Sequence, residues 1–245
     1  LVPFMSCSAR LPIYGLMVSA FFPGHRALIV ISLYLIGVCL AILSGLILKR
    51  SVFKGGAAPF RLELPPYRMP TARNVWTHVW EKVKDFLSRA ATLIMAMSVV
   101  LWLLQSFTPH FQYTTDVSAS LLALIGSGIA PLFIPCGFGV WQAAVALLTG
   151  LVAKEAVVSS MSLFYGFSLT ASGTAVALAL GGTFTPVAAY AFLVFCALYT
   201  PCVASIATIR REMGSAKWTL ACLGWQLGMA YLASMLVFQI GSLIF

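Results

Sequence analysis

Ala27-Leu28-Ile29-Val30-Ile31-Ser32-Leu33-Tyr34-Leu35-Ile36-Gly37-Val38-Cys39-Leu40-Ala41-Ile42-Leu43-Ser44-Gly45-Leu46-Ile47-Leu48 runs for 22 residues without a charge and is closed by Lys49 and Arg50. About 20 apolar residues carry a helix across a bilayer. The stretch therefore predicts a transmembrane helix whose basic end faces the cytoplasm. The rest of the chain shares this character: of 245 residues, 61% are hydrophobic and 9% charged, with mean hydropathy +0.98. A soluble domain carries roughly 25% charged residues, so there is too little polar surface here to cover a water-exposed globule. Disordered, collagen-like and disulfide-stapled classes are excluded on the same numbers.

The net charge of +9 raises the question of nucleic acid. Its placement answers it. Nine of the fifteen basic residues fall in 49–89, one polar segment between apolar ones. Clustering beside membrane spans accounts for the charge without a nucleic-acid partner, and makes membrane lipid the surrounding phase. The six cysteines, at 7, 39, 136, 196, 202 and 222, form no CxxC pair and no Cys/His zinc spacing. Cys39, Cys196 and Cys222 lie in apolar helical runs and read as small hydrophobes. Cys7, Cys136 and Cys202 each stand beside Pro or Ser at predicted helix breaks.

Outward from the first span, 11–22 is apolar but too short to cross, ends at Pro23-Gly24, and predicts half of a broken helix. The opening Leu1-Val2-Pro3-Phe4 has no initiator Met and begins within apolar sequence, so further chain is expected before it. Leu64-Pro65-Pro66-Tyr67-Arg68-Met69-Pro70 is barred from helix by its prolines. From Thr71, the spacing of Val75, Trp76, Val79, Trp80, Val83 and Phe86 predicts an amphipathic helix at the interface, leading into a span over 90–107. Residues 120–133 predict a short or re-entrant helix. Residues 140–165 predict one helical stretch with Lys154-Glu155 near its middle. Residues 187–209 predict a span interrupted at Thr200-Pro201-Cys202, and 218–245 a final span. The fold class is all-α: a polytopic membrane helical bundle with broken or re-entrant helices. Its organisation is a broken helix plus span over 1–48, a cytoplasmic basic loop with an interfacial helix over 49–89, and the remaining membrane helices over 90–245.

A weak internal repeat crosses that organisation. Phe4-Met5-Ser6-Cys7-Ser8-Ala9 resembles Tyr199-Thr200-Pro201-Cys202-Val203-Ala204, and each copy leads through a short segment into a long uncharged helix. Paired proline-interrupted segments mark the substrate site of repeat-built transporters. Pro3 and Pro201 each free backbone carbonyls near a thiol. Cys7 and Cys202, with Met5, Ser6 and Thr200 beside them, form a soft-to-borderline ligand set that suits Cu(I), Zn or Fe(II). Glu155 is the only acid between Asp116 and Glu212. A carboxylate at membrane depth is costly and marks a pathway.

Enzyme chemistry finds less support. His25, His78 and His110 read as loop residues, and neither HExxH nor a GxxxxGK[ST] phosphate loop is present. An organic-solute transporter, for instance of nucleosides, would need amides such as Gln142. A non-transporting scaffold or sensor would need no path at all.

Several strings together resemble a known family. Pro3-Phe4-Met5-Ser6-Cys7-Ser8-Ala9-Arg10-Leu11-Pro12-Ile13-Tyr14 resembles the first gate motif of ferrous iron transport protein B, which usually has Gly where Ser8 stands. Glu63-Leu64-Pro65-Pro66-Tyr67-Arg68-Met69-Pro70-Thr71 is similar to its cytoplasmic loop. Trp141-Gln142-Ala143-Ala144-Val145-Ala146-Leu147 through Ala153-Lys154-Glu155 matches another signature, and Tyr199 to Ala204 matches the second gate motif. The resemblance implies a bacterial or archaeal inner-membrane importer of Fe(II), not an enzyme in this stretch, with 1–48 holding the remnant of the first gate repeat. It implies that Cys7 and Cys202 are gate cysteines handling Fe(II) and that Glu155 is an acid on the path. It also implies a preceding G domain holding GTP and Mg, small accessory proteins of the same system as partners, and room for a homo-oligomer.

Overall fold

The computed structural model describes residues 7–51, 69–109, 112–114, 117–168, 173–199 and 202–244. Among the described residues ten α-helices carry the fold: α1 Leu11–Phe21, α2 Arg26–Ser51, α3 Ala72–Ser106, α4 Leu121–Ile129, α5 Trp141–Val152, α6 Ala156–Tyr165, α7 Gly173–Leu180, α8 Pro186–Leu198, α9 Val203–Met213 and α10 Ala216–Ile244. Among the described residues the only extended pairing is one bridge, Phe107 with Tyr113. The all-α bundle with broken helices is what the hydropathy pattern predicts.

Local signals set the helix ends. Pro12 opens α1 in the first turn, and Pro186 opens α8 behind Thr185, whose hydroxyl accepts from the Ala188 amide at 3.2 Å. Ser120 caps α4 in the same way at 3.2 Å. Gly166 and Gly214 close α6 and α9 at positive φ.

Length then sorts the helices. Among the described residues three stretches are long and apolar enough to cross a membrane: α2, α10, and α8 with α9 taken as Pro186–Met213. Leu121–Cys136 and Trp141–Val152 make a fourth unit bent by 104°. The predicted re-entrant piece over 120–133 is the first arm of that unit, α4 followed by a 3-10 segment, Ala130–Cys136.

Apolar side chains of α2 such as Leu28, Ile31, Leu35, Ile42 and Leu46 stay exposed. In a bilayer such exposure is the normal lipid contact of a membrane helix. The protein core lies around α8, where Ala189, Ala191, Phe192, Leu193, Val194 and Leu198 are fully buried. Without a hydrophobic drive inside lipid, close packing and hydrogen bonds must hold helices together. Small residues supply the first: Gly241 of α10 lies so close to Val187 that a Cβ there would collide with it. Polar side chains supply the second. Ser234 donates to the Ala191 carbonyl at 2.8 Å, Trp225 of α10 donates to Ser44 of α2 at 2.5 Å, and Ser32 pairs with Tyr190 at 2.7 Å. Phe133 and Phe138 of the re-entrant tip close the core, packing on Phe192 and Phe195 with ring centroids 5.2–5.3 Å apart. Cys136 is buried there and directs its thiol at the Tyr231 carbonyl, 4.0 Å away.

Three expectations need correction. The amphipathic stretch and the following span are one continuous helix, α3, because nothing in 72–106 interrupts the backbone ladder. Its 35 residues rise ~52 Å, more than the ~30 Å of a hydrocarbon core, and among the described residues only its Met95–Ser106 part is a continuous apolar helix, shorter than a span. His78 consequently lies on this helix, exposed, rather than in a loop. The stretch over 140–165 is two helices, with an extended Ala153 (φ −143°, ψ 130°) and a turn at Lys154-Glu155 between them. A straight helix would carry two adjacent opposite charges through the membrane; the break separates their fates. The Leu64-to-Pro70 segment lies outside the described residues except for Met69 and Pro70, which are non-helical.

Candidate metal path at three helix breaks

The two cysteines of the sequence repeat both cap a helical element from an extended backbone conformation. Cys7 is the N-cap of the 3-10 turn Ser8–Arg10 that leads into α1, with φ −87° and ψ 160°. Cys202 is the N-cap of α9, with φ −60° and ψ 161°. Neither side chain bonds to its helix amides. Each copy proceeds through an 11-residue helix, α1 or α9, into a long span, α2 or α10. The copies differ in burial: α1 packs five residues into the core, whereas α9 buries none. Three positions after each cysteine stand Arg10, which is buried, and Ser205, whose hydroxyl lies 3.5 Å from Cys202 Sγ.

The third break, at 153–155, joins them. Lys154 is buried, with Nζ 3.3 Å above the centre of the Tyr199 ring. Arg10 and the sulfurs of Cys7, Cys196 and Cys202 all lie within electrostatic reach of that ammonium, and the same four act on the Tyr199 hydroxyl. Gly150 makes the approach possible, since a Cβ there would strike the Tyr199 hydroxyl and Val157. Across the break Thr149 donates to the Ala146 carbonyl at 2.9 Å, which leaves Ser160 to donate to Thr149, also at 2.9 Å. A desolvated cation over an aromatic face gains about 2 kcal/mol, which offsets part of the cost of a buried ammonium.

Of the expected ligands, then, Cys7 and Cys202 share one neighbourhood; Cys7 is exposed and Cys202 half-buried. Glu155 is exposed. Met5, Ser6 and Thr200 lie outside the described residues. Among the described residues no three His, Cys, Asp or Glu side chains converge on a metal-sized point. A cavity of about 320 Å³ lies elsewhere, between Ser118, Ser120, Ser127 and Trp141, and has no sulfur or charge in its lining.

Sequence reasoning passed over Arg10, Lys154, Cys196, Tyr199 and Gln226. The argument that singled out Glu155, a charge amid apolar flanks, applies equally to Lys154 and Arg10. Gln226 is a buried polar residue in α10 whose Nε2 donates to the Leu198 carbonyl at 3.3 Å. It thereby satisfies a carbonyl at the end of α8, where the helix ladder stops. Gln226→Leu is expected to leave that oxygen unpaired at a cost of about 1–3 kcal/mol, read as a fall of roughly 5 °C in the detergent melting midpoint. An unchanged midpoint would mean that the carbonyl has another donor.

Broken helices meeting over buried sulfur and aromatic groups define a membrane-embedded protein of the gate type. A family profile described as nucleoside recognition, named Gate, matches residues 87–216, and one described as the C terminus of ferrous iron transport protein B matches 30–82. A protein of Staphylococcus aureus (strain COL) named Fe(2+) transporter FeoB is 42% identical over 244 residues, covering 99% of this chain and 36% of that protein. One of Methanocaldococcus jannaschii with the same name is 36% identical over 250 residues, with the same two coverages. A Porphyromonas gingivalis protein named Fe(2+) transport protein A/Fe(2+) transporter FeoB fusion protein is 33% identical over 288 residues, covering 99% and 34%. No solved structure matches the chain. The chain belongs to the Gate family and, within it, corresponds to the C-terminal part of ferrous iron transport protein B. It spans about a third of the length of the curated relatives it matches.

Proposed function

We propose that the chain is the membrane permease part of a Fe(II) importer, passing ferrous ion across the cytoplasmic membrane between its two gate breaks. The observation that carries this reading is the matched placement of Cys7 and Cys202, at equivalent N-caps of a structural repeat and within reach of one buried site. Thiols suit borderline-soft Fe(II) better than Mg or Ca. Glu155, beside the same break, is the acid that adds negative charge when the path accepts the ion. The segment 49–89 serves as the cytoplasmic connection. In the whole protein a G domain holds GTP and Mg, for which this sequence has no phosphate loop. The fused relative supports a small accessory protein as a further partner.

The test is Fe(II) uptake by the intact protein in cells lacking other ferrous transport. Changing Cys7, Cys202 and Glu155 together to Ala is expected to reduce uptake to background while the protein still reaches the membrane. Unchanged uptake by the triple variant would refute the site. The description of the Gate profile favours a nucleoside as the competing cargo; uridine uptake without Fe(II) uptake would decide for it.

A further inference from the structure

We propose that Lys154 is a tethered cation that keeps the path closed, and that an arriving divalent ion displaces it, bringing Glu155 inward in its place. The inference rests on the Fe(II) reading above and concerns how that same site is gated.

The Lys154 side chain is buried at the turn between α5 and α6. It lies over the Tyr199 ring and within electrostatic reach of the Cys7, Cys196 and Cys202 sulfurs. Those are the groups a soft divalent ion would use, so the ammonium and the metal compete for one environment. Arg10, also buried and within electrostatic reach, is a second positive group that acts against the Lys154 ammonium and against any further cation. A second positive ion is therefore repelled while Lys154 stays inside.

The chain next to Lys154 provides for exchange. Lys154 and Glu155 form a turn between the two helices, preceded by the extended Ala153, so reorienting them leaves α5 intact and loosens only the first turn of α6, whose amides they accept. The Ala156 amide closes the turn on the Ala153 carbonyl at 3.0 Å, while the Val157, Val158 and Ser159 amides reach the Lys154 and Glu155 carbonyls only at 3.2–3.5 Å, at or beyond the long end of ordinary hydrogen bonds. One neighbour is buried and cationic, the other exposed and anionic. Exchanging them removes one positive charge from the site and adds one negative charge. That swing of two charges matches a divalent cargo.

The experiment labels the intact protein in detergent, anaerobically, with an amine-acylating reagent and a carbodiimide, and quantifies modification of Lys154 and Glu155 by mass spectrometry. Fe(II) is expected to raise Lys154 acylation about tenfold and lower Glu155 modification, and Mg(II) to do neither. Lys154→Met is expected to bind Fe(II) about tenfold more tightly, and Lys154→Arg to bind as the parent does. Because the labelling uses unaltered protein, the test survives misfolding of either variant. Fe(II) binding with Lys154 still protected would overturn the exchange and leave the transport reading standing. Absence of Fe(II) binding would overturn both.

Discussion

Alanine in place of Tyr199 is expected to lower the melting midpoint of the purified protein by roughly 10 °C, whereas phenylalanine leaves it within about 1 °C. The ring is buried, stacks on Phe195 at 5.5 Å between centroids and carries Lys154 on its face. Truncation empties a packed site and takes away the face that holds a desolvated ammonium, at a cost of about 3 kcal/mol. The hydroxyl is different. It has no hydrogen-bond partner among the described residues, and deleting an unsatisfied buried group is close to neutral. Thermal melts of the two variants, run side by side, separate ring from hydroxyl. Equal losses would show that the hydroxyl holds the structure as much as the ring does.

Gly137→Ala is expected to be nearly as damaging, about 3 kcal/mol, for two reasons that can be separated. Gly137 has φ 84°, a left-handed conformation that a Cβ disfavours, and it closes the re-entrant 3-10 segment. A Cβ there would also run into the ring of Phe238 on α10. Combining Gly137→Ala with Phe238→Leu makes room and leaves the backbone strain, so the double variant should recover part of the loss. Protease resistance of the 130–140 region reads the same effect locally. Recovery to the parent level would leave no share for the backbone.

Much of the architecture is legible along the chain. Hydropathy and charge placement identify α2 and α10, Pro23-Gly24 limits α1, and the cysteine motif predicts two similar breaks, because each signal lies within a few residues of its consequence. The continuity of α3 was less legible. Its pattern changes from amphipathic to apolar, but a change of environment along a helix does not require a break in the backbone. The break at Lys154-Glu155 carries no Pro or Gly of its own; the nearest glycine, Gly150, lies a turn earlier and makes room for Tyr199 from a distant part of the chain.

By itself, the sequence determined that this is a membrane-embedded helical protein with two similar cysteine-bearing motifs, since segment length, apolarity and proline placement act locally. Only the tertiary structure decided which of two adjacent charges turns inward. Lys154 is buried over the face of the Tyr199 ring, which comes from a distant part of the chain and offers a cation a partner that it would not offer a carboxylate.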